Sequence, residues 1–534
     1  MKKKLLALLL ALTVTCALAA CGEKGSGAET TAGTDGNAGT VKTQQSTEGE
    51  VKTADEDPVI FVTRGYNNVE NKADNEEIRQ AIIEASGINF EYVIVPSENW
   101  DDLVNIKIAA SEEFDMLNII NDNGDWSKYS KRNALVPMND LIEQYGQNIL
   151  KVMGDFDSPV WKSCKDASGN IYALPRQESW TKGGVPFIRA DWLEALGMET
   201  PATITELEAY FEAVKNTDLN GNGENDEIPY IPYASSLLST FRPYFLGFHG
   251  ERYLADDGTV MPWYMDENAY QMLETFHRWY EKGWLYKEYL TITTEQIQDL
   301  VMADRIGCGA GWYNAPMAPT DTVRKSNPDS KMDWISLPNL TDFPEGGMPA
   351  WTTNPINVAA VVMSATNQNP ETAVKLVDWM FASTENYMLC TYGIEGKHWE
   401  WTDDSHKTFR RLDTENYNIG FYQFVEWFDT DIFPKEEIDQ DNYRNNAIEK
   451  MQQAINRMEV AETFDYYIPY DFTGTEAEML NNDADTIIEE AAAKVVSGEF
   501  GQSEWENAVK TAWDTDGTVR SKVWTEQYKA FTTE

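Results

Sequence analysis

The sequence predicts an α/β protein of at least two lobes, and three observations carry that expectation. The chain has 534 residues, more than one hydrophobic core organises. Hydrophobic residues make up 42% and charged residues 25%, a globular balance, and no apolar run beyond residue 20 is long enough to span a bilayer. From Pro58 to Ile120 the apolar pattern alternates strand, helix, strand, helix, strand. That order implies a parallel sheet with right-handed crossovers.

The N-terminus reads as an address. Lys2, Lys3 and Lys4 precede the apolar run Leu5–Leu12, the n-region and h-region of a secretory signal over residues 1–20. Leu18-Ala19-Ala20-Cys21 matches the bacterial lipobox, in which the Cys is acylated and becomes the first residue. From Gly22 to Asp57 the chain is Gly, Ser, Thr and acidic residues without an aromatic side chain, too polar to bury a core. Residues 21–57 are therefore expected to be a flexible tether, about 30–36 Å in mean span. An extracytoplasmic, lipid-anchored protein is the expectation. Cys164, Cys308 and Cys390 remain in the body, too widely spaced for a metal motif. Each is expected to be a buried structural thiol, with one disulfide and a spare as the alternative. The formal net charge of −45 repels polyanions, so nucleic acid is no expected partner and the membrane is met through the anchor only.

In the body, Pro58–Gly65, Ile88–Pro96 and Phe114–Ile120 read as strands, with helices over Asn75–Gly87 and Trp100–Ser111 between them. Ligand sites in such sheets lie beyond the carboxyl ends of strands, here at Arg64–Asn68 and Asn121–Trp126. Asp166–Pro175 is a tight turn feeding a strand, and Ile188–Gly197 and Thr203–Asn216 read as helices. Thr203 and Glu206 have capping-box spacing. Further on come a helix over Asn268–Gly283 and strands over Arg305–Trp312, Asp333–Pro338 and Pro355–Met363. A helix opened by Asn369-Pro370 follows, and beyond Glu400 a mostly helical tail, including Asn442–Glu459, Thr475–Ser497 and Ser503–Ala512.

The helix over Thr203–Asn216 delivers the chain into Asp-Leu-Asn-Gly-Asn-Gly-Glu-Asn-Asp-Glu-Ile-Pro, Asp218–Pro229. Oxygen side chains recur at alternate positions around two glycines, the arrangement a hard cation such as Ca²⁺ requires. The EF-hand loop template holds for six positions and then fails, because its twelfth is Pro229. The expected ligands are Asp218, Asn220, Asn222, Asp226 and Glu227, with the Glu224 carbonyl, and the expected ion is a structural Ca²⁺. An Asn/Asp/Gly turn that binds nothing is the competing reading.

This loop after an amphipathic helix resembles the calcium loop of a branch of the family 1 extracellular solute-binding proteins of ABC transporters, the branch of the alginate-binding proteins and LplA-like lipoproteins. The Gly-x-x-Tyr-x-Leu-Pro stretch ending at Pro175 and the segment Tyr392-Gly393-Ile394-Glu395-Gly396-Lys397-His398-Trp399 extend the resemblance. It implies a two-lobed, hinged fold of the type II periplasmic-binding-protein kind, with mixed sheets flanked by helices. One lobe is expected over residues 58–180 and 340–396, the other over 181–339 and 397–534 with the loop 218–229. The implied function is capture of an oligosaccharide or sugar derivative between the lobes and delivery to an ABC permease, by a monomer. A peptide receptor of the same architecture is the alternative, and a secreted glycoside-active enzyme a further one.

A sugar presents axial C–H faces to aromatic rings and hydroxyls to planar polar groups. The chain has 18 Trp, 25 Tyr and 21 Phe, and most belong in cores. Trp126, Trp180, Trp312, Tyr313 and Trp351 follow predicted strands and are the expected stacking rings. Arg64, Asn67, Asn123, Asp125, Arg176, Glu178 and Glu395 are the expected hydroxyl partners. His398 and Trp399 are either site residues or hinge packing. The histidines His249, His277, His398 and His406 form no metal pair, and no nucleophile elbow, P-loop or dinucleotide fingerprint occurs. No catalytic residue is expected.

Overall fold

The computed structural model describes most of residues 57–532, apart from 66–71, 97–99, 120–124, 177–184, 233–235, 312–315, 341–357, 417–431, 438–463 and scattered single positions. Cys21, the signal and the tether lie outside the described residues. So does the helix expected over Asn442–Glu459.

The strands in chain order are β1 (Val59–Gly65), β2 (Phe90–Pro96), β3 (Met116–Asn118), β4 (Ala173–Arg176), β5 (Val185–Arg189), β6 (Ile228–Pro232), β7 (Arg252–Leu254), β8 (Val260–Pro262), β9 (Ile306–Gly311), β10 (Trp334–Ser336), β11 (Val358–Met363), β12 (Trp399–Trp401), β13 (Thr408–Arg411) and β14 (Lys435–Glu436). They build two main sheets, ordered β2-β1-β3-β11-β4 and β10-β5-β9-β6. Each sheet lies in its own hydrophobic core.

The first sheet begins as the sequence implies. β1 pairs in parallel with β2 and β3, and Val59, Phe61, Met116 and Leu117 are buried because helices cover the sheet. The apolar residues Ile78 and Ile82 of the helix Asn75–Ser86 face this core, and Gly87 ends the helix with φ 71°. β11 then enters antiparallel between β3 and β4. The sheet is therefore mixed, and it is completed by a strand that returns some 180 residues after β4.

In the second sheet β9 is Ile306-Gly-Cys-Gly-Ala-Gly311. A Cβ at Gly309 would lie 2.3 Å from the Phe187 ring, so only glycine lets that ring settle on the strand. Tyr210 lies across the same strand and donates to the Gly307 carbonyl at 3.0 Å. Behind it Phe211, Tyr230, Phe241 and Trp279 pack with ring centroids 5.2–5.7 Å apart, mostly edge to face. The helices Asp483–Ser497 and Gln502–Ala512 close this core. Cys164, Cys308 and Cys390 are free and buried, and burial pushes the Cys164 and Cys390 thiols up to about 12. The disulfide alternative is not realised.

Several expectations need correction. Ile188 and Arg189 belong to β5, so the helix starts at Ala190. Thr203 accepts from the Glu206 amide at 3.0 Å, but Glu206 returns its bond to Ala202. Thr475 sits in a turn, and the helix expected from it begins at Asp483. The tail is not helical from Glu400, since β12, β13 and β14 form a small sheet there. Trp399, Phe409 and Phe433 are buried in the first core and Leu340 in the second, so the chain changes lobes later than residues 340 and 397. Hydrophobic side chains, not sequence order, set these limits.

One ion network ties β5, its helix and the approach to β9. Arg189 is 1% exposed, bonds Asp191 in a fork at 2.6 and 2.8 Å, and reaches Asp304 at 2.5 Å. Its guanidinium also lies 4.2 Å from the Trp192 ring centroid. Removing one partner of a buried pair leaves the other uncompensated. Arg189→Met is expected to cost about 3 kcal/mol, the lower end for such a pair because Asp304 is partly solvated. Urea unfolding followed by Trp emission checks this, and an unchanged midpoint would show that the network adds no net stability.

Candidate ligand cleft and cation loop

Strand direction decides which ends meet. β1, β2 and β3 run in parallel, so their carboxyl ends share one edge. β11 is antiparallel to β3 and β4, and Val358 pairs with Arg176, so the start of β11 and the end of β4 lie at that edge too. In the second sheet Val185 pairs with Gly311 and Pro232 with Ala310, while Leu337 donates to the Pro186 carbonyl at 2.9 Å. The start of β5 and the ends of β6, β9 and β10 thus share the corresponding edge. Residues 177–184 join Arg176 at the first edge to Val185 at the second, and residues 341–357 lead from beyond β10 back to Val358. The chain thus links the same two edges twice, through segments outside the described residues.

Most expected ligand residues belong to segments attached to those edges. Arg64 is the next-to-last residue of β1, and Arg176 is the half-buried last residue of β4. Asn67, Asn123, Glu178, Trp180, Trp312, Tyr313 and Trp351 lie outside the described residues, in segments flanked by β1, β3, β4, β5, β9 and β11.

Other expected positions turn out differently. Asp125 and Trp126 are not in a loop: they open the helix Asp125–Lys131. Trp126 is 0% exposed, donates from Nε1 to the Ser163 carbonyl at 3.0 Å and stacks on Tyr172. A ring with no accessible face cannot stack on a sugar, so Trp126 is a core residue. Glu395 is exposed on a corner that packs against the first core. There the Ile394 amide donates to His398 Nδ1 at 2.9 Å, which leaves the proton on Nε2, 3.2 Å from Asp74 Oδ2. A Cβ at Gly393 (φ 83°) would lie 2.6 Å from His398 Nδ1. Trp399 Nε1 donates to the Gly393 carbonyl at 2.8 Å. Lys397 and His398 together hold the Asp74 carboxyl below its ordinary value. His398 and Trp399 are packing residues.

The loop 218–229 is built on its own oxygens. Asp218 accepts from the amides of Gly221, Asn222 and Gly223 at 2.7–3.1 Å. Gly221 and Gly223 hold φ values of 73° and 90°, which glycine tolerates. Asn220 and Asn222 each donate a carboxamide N–H to Asp226 Oδ1, at 3.3 and 3.0 Å. Arg305 holds Asp226 Oδ2 at 2.9 Å, anchoring the loop beside β9. Glu227 is 7% exposed; Oε1 accepts from the amides of Leu219 and Asn220, while its buried Oε2 has no hydrogen-bond partner among the described residues. Among the described residues no three His, Cys, Asp or Glu side chains form a metal cluster by themselves. The loop's donors are a mixture of carboxylate and carboxamide.

Sequence reasoning missed a polar link between the lobes. Lys131, at the end of a first-lobe helix, holds Asp471 at 2.9 Å. The Asp471 amide bonds Gln527 of the last helix at 3.2 Å, and that helix bonds β8 through Ser521 and Thr525. Partners 340 residues apart leave no signal in one sequence.

The profile of the bacterial extracellular solute-binding proteins matches residues 70–387. A fructooligosaccharide ABC transporter substrate-binding protein of Streptococcus pneumoniae, FusA, is 24% identical over 425 residues, covering 75% of this chain and 74% of that protein. Among solved structures, an HMO-binding solute-binding protein of Bifidobacterium longum infantis superposes with a TM-score of 0.71 at 20% identity, covering 90% of this chain and all of that one. The alginate-binding protein AlgQ2, solved without calcium ion, gives 0.65 at 17% identity, with 90% and 100% coverage. FusA has also been solved with kestose and as an EF-hand mutant, each at a TM-score of 0.65, at 19% and 18% identity, covering 89% of this chain and all of that protein. The profile match, spanning more than half of the sequence, and the two-lobed fold agree: this chain belongs to the bacterial extracellular solute-binding proteins.

Proposed function

We propose that this protein captures an oligosaccharide or sugar derivative in the cleft and presents it to an ABC permease, without turning it over. What supports the reading is that the strand ends flanking Trp180, Trp312, Tyr313 and Trp351 belong to the two sheet edges that the chain links twice. Such rings suit the apolar faces of sugars, with Arg64, Asn67, Asn123, Arg176 and Glu178 as partners for hydroxyls. Closure of two lobes about a ligand is the motion that the hinged architecture of periplasmic binding proteins allows. Relatives whose names specify oligosaccharides support the ligand class. Titration with neutral and acidic oligosaccharides is expected to shift Trp emission and raise Tm by mass action. Peptides that shift Tm where no saccharide does would overturn the ligand class, and glycoside turnover by the purified protein would overturn the non-catalytic reading.

We propose further that the loop holds a structural Ca²⁺. Asp218, Asn220, Asn222, Asp226 and Glu227, with the Glu224 carbonyl, would be its ligands. The unpartnered, buried Glu227 Oε2 is the observation that fits, since a buried carboxylate oxygen without a partner is costly and a cation would satisfy it. EDTA is expected to lower Tm, and Asp218→Ala with Glu227→Ala to remove the EDTA-sensitive part. At a hundredfold excess over Kd the ion would add about 2.7 kcal/mol. An EDTA-indifferent melting curve with no calcium by elemental analysis would leave a polar turn.

Membrane attachment is proposed through acylated Cys21, supported by Leu-Ala-Ala-Cys and by the similarity to lipoprotein LipO of Bacillus subtilis, 20% identical over 459 residues. Two acyl chains anchor stably where one is marginal. Cys21→Ala is expected to release the protein from membranes or block its processing; unchanged membrane association would refute the anchor.

A further inference from the structure

A groove of about 700 Å³ lies on the first lobe, at the end of its sheet opposite the cleft. Its place follows from the strands: Phe114 precedes β3, and Ser364 and Thr366 follow β11, so these residues mark the edge away from Arg64 and Arg176. One wall is the helix Trp100–Ala109, through Asn105 and Ala109. The other is the helix Asp125–Lys131 and its exit, through Lys128 and Arg132. The Tyr129 hydroxyl donates to Asn105 Oδ1 at 3.3 Å and ties the walls together.

The charges of the lining are uneven. Among the described lining residues the cations are Lys128 and Arg132, and the carboxylate is Glu112, which Lys107 holds at 2.6 Å. Its described lining carries two cations to one carboxylate, on a chain whose formal net charge is −45. Basic residues in the last turn of a helix are ordinary by themselves, because they face its carbonyl end. These two also border a concavity within the usual range of small-ligand sites, roughly 300–1,000 Å³. Arg132 is loosely engaged, 4.0 Å from Glu478 Oε1, so its planar donors can turn to an oxyanion. Asn105, which lines the groove, accepts from Tyr129 through Oδ1, and its carboxamide also carries N–H donors. The hydroxyls of Ser364 and Thr366 bond each other, and Thr366 Oγ1 donates to the Glu112 carbonyl, so what they offer a ligand is their remaining lone pairs as acceptors.

We propose that this groove is a second binding site, separate from the cleft, for a sugar-sized hydroxylated ligand that carries an oxyanion, either a carboxylate or a phosphate. The cations supply the charge complement, and the carboxamide and hydroxyls the hydroxyl partners. The proposal does not rest on the identity of the cleft ligand.

Calorimetry of the mature protein at physiological salt tests it, with glucuronate and glucose 1-phosphate as probes and glucose as the neutral control. Saturable binding of one or both anions is expected, and which of them binds identifies the oxyanion. Lys128→Ala with Arg132→Ala should weaken that binding at least tenfold. Ala109→Trp, which fills the groove from an exposed position and keeps both cations, should do the same. Absence of saturable anion binding overturns the proposal. So does anion binding that both variants leave unchanged, which would place the ligand elsewhere, or glucose binding as tight as that of the anions.

Discussion

The antiparallel insertion of β11 between β3 and β4 is the constraint on which the architecture depends. Without it the first sheet is a parallel fragment, β2-β1-β3, and β4 has no partner strand. The first lobe is complete only after the chain has run through the second and come back. Both passages join the same two edges, the carboxyl ends of β1 and β3 and the matching ends of β6 and β9. In an uninterrupted parallel sheet the crossovers would return to the same lobe, and no second lobe would face the strand ends.

The aromatic residues divide along the same boundary. Rings on helices and strands of the second lobe, such as Phe211, Tyr230 and Trp279, are buried at 0% exposure and pack edge to face. Their interlocking demands the glycines of β9, where a side chain would displace Phe187. Trp180 and Trp351 belong to the two segments that link the sheets and lie outside the described residues. Trp126 shows how narrow the distinction is. It lies a few residues beyond a strand end, as an exposed site residue would, yet the helix that starts at Asp125 turns it inward onto Tyr172.

The polar groups show the same division of labour. Asp74, His398 and Lys397 brace the corner around Gly393, and Arg189 with Asp191 and Asp304 braces β5. Across the lobes Lys131 and Ser127 meet the largely buried Asp471 carboxylate, and the exposed Arg132 lies 4.0 Å from Glu478. The exposed pair of Arg132 with Glu478 contributes little, about 0–1 kcal/mol.

Local order and the loop at 218–229 were legible in the sequence because they depend on neighbours in the chain. Periodicity marked the helices Asn75–Ser86 and Ile204–Lys215, apolar runs marked β1 and β2, and alternating oxygens around Gly221 and Gly223 marked the loop. Those features rest on side-chain spacing of two or about four residues, which one sequence displays directly. β5 escaped because its five residues run straight into a helix, with no turn residue between. The small β12–β13–β14 sheet escaped because its strands are short and pair with one another rather than with a long partner. Burial of Trp126, the pairing of Asp74 with His398, and the assignment of Trp399, Phe409 and Phe433 to the first core were decided by tertiary structure alone. Each depends on residues brought together from distant parts of the chain, and the free energy of burial is settled only when those parts meet.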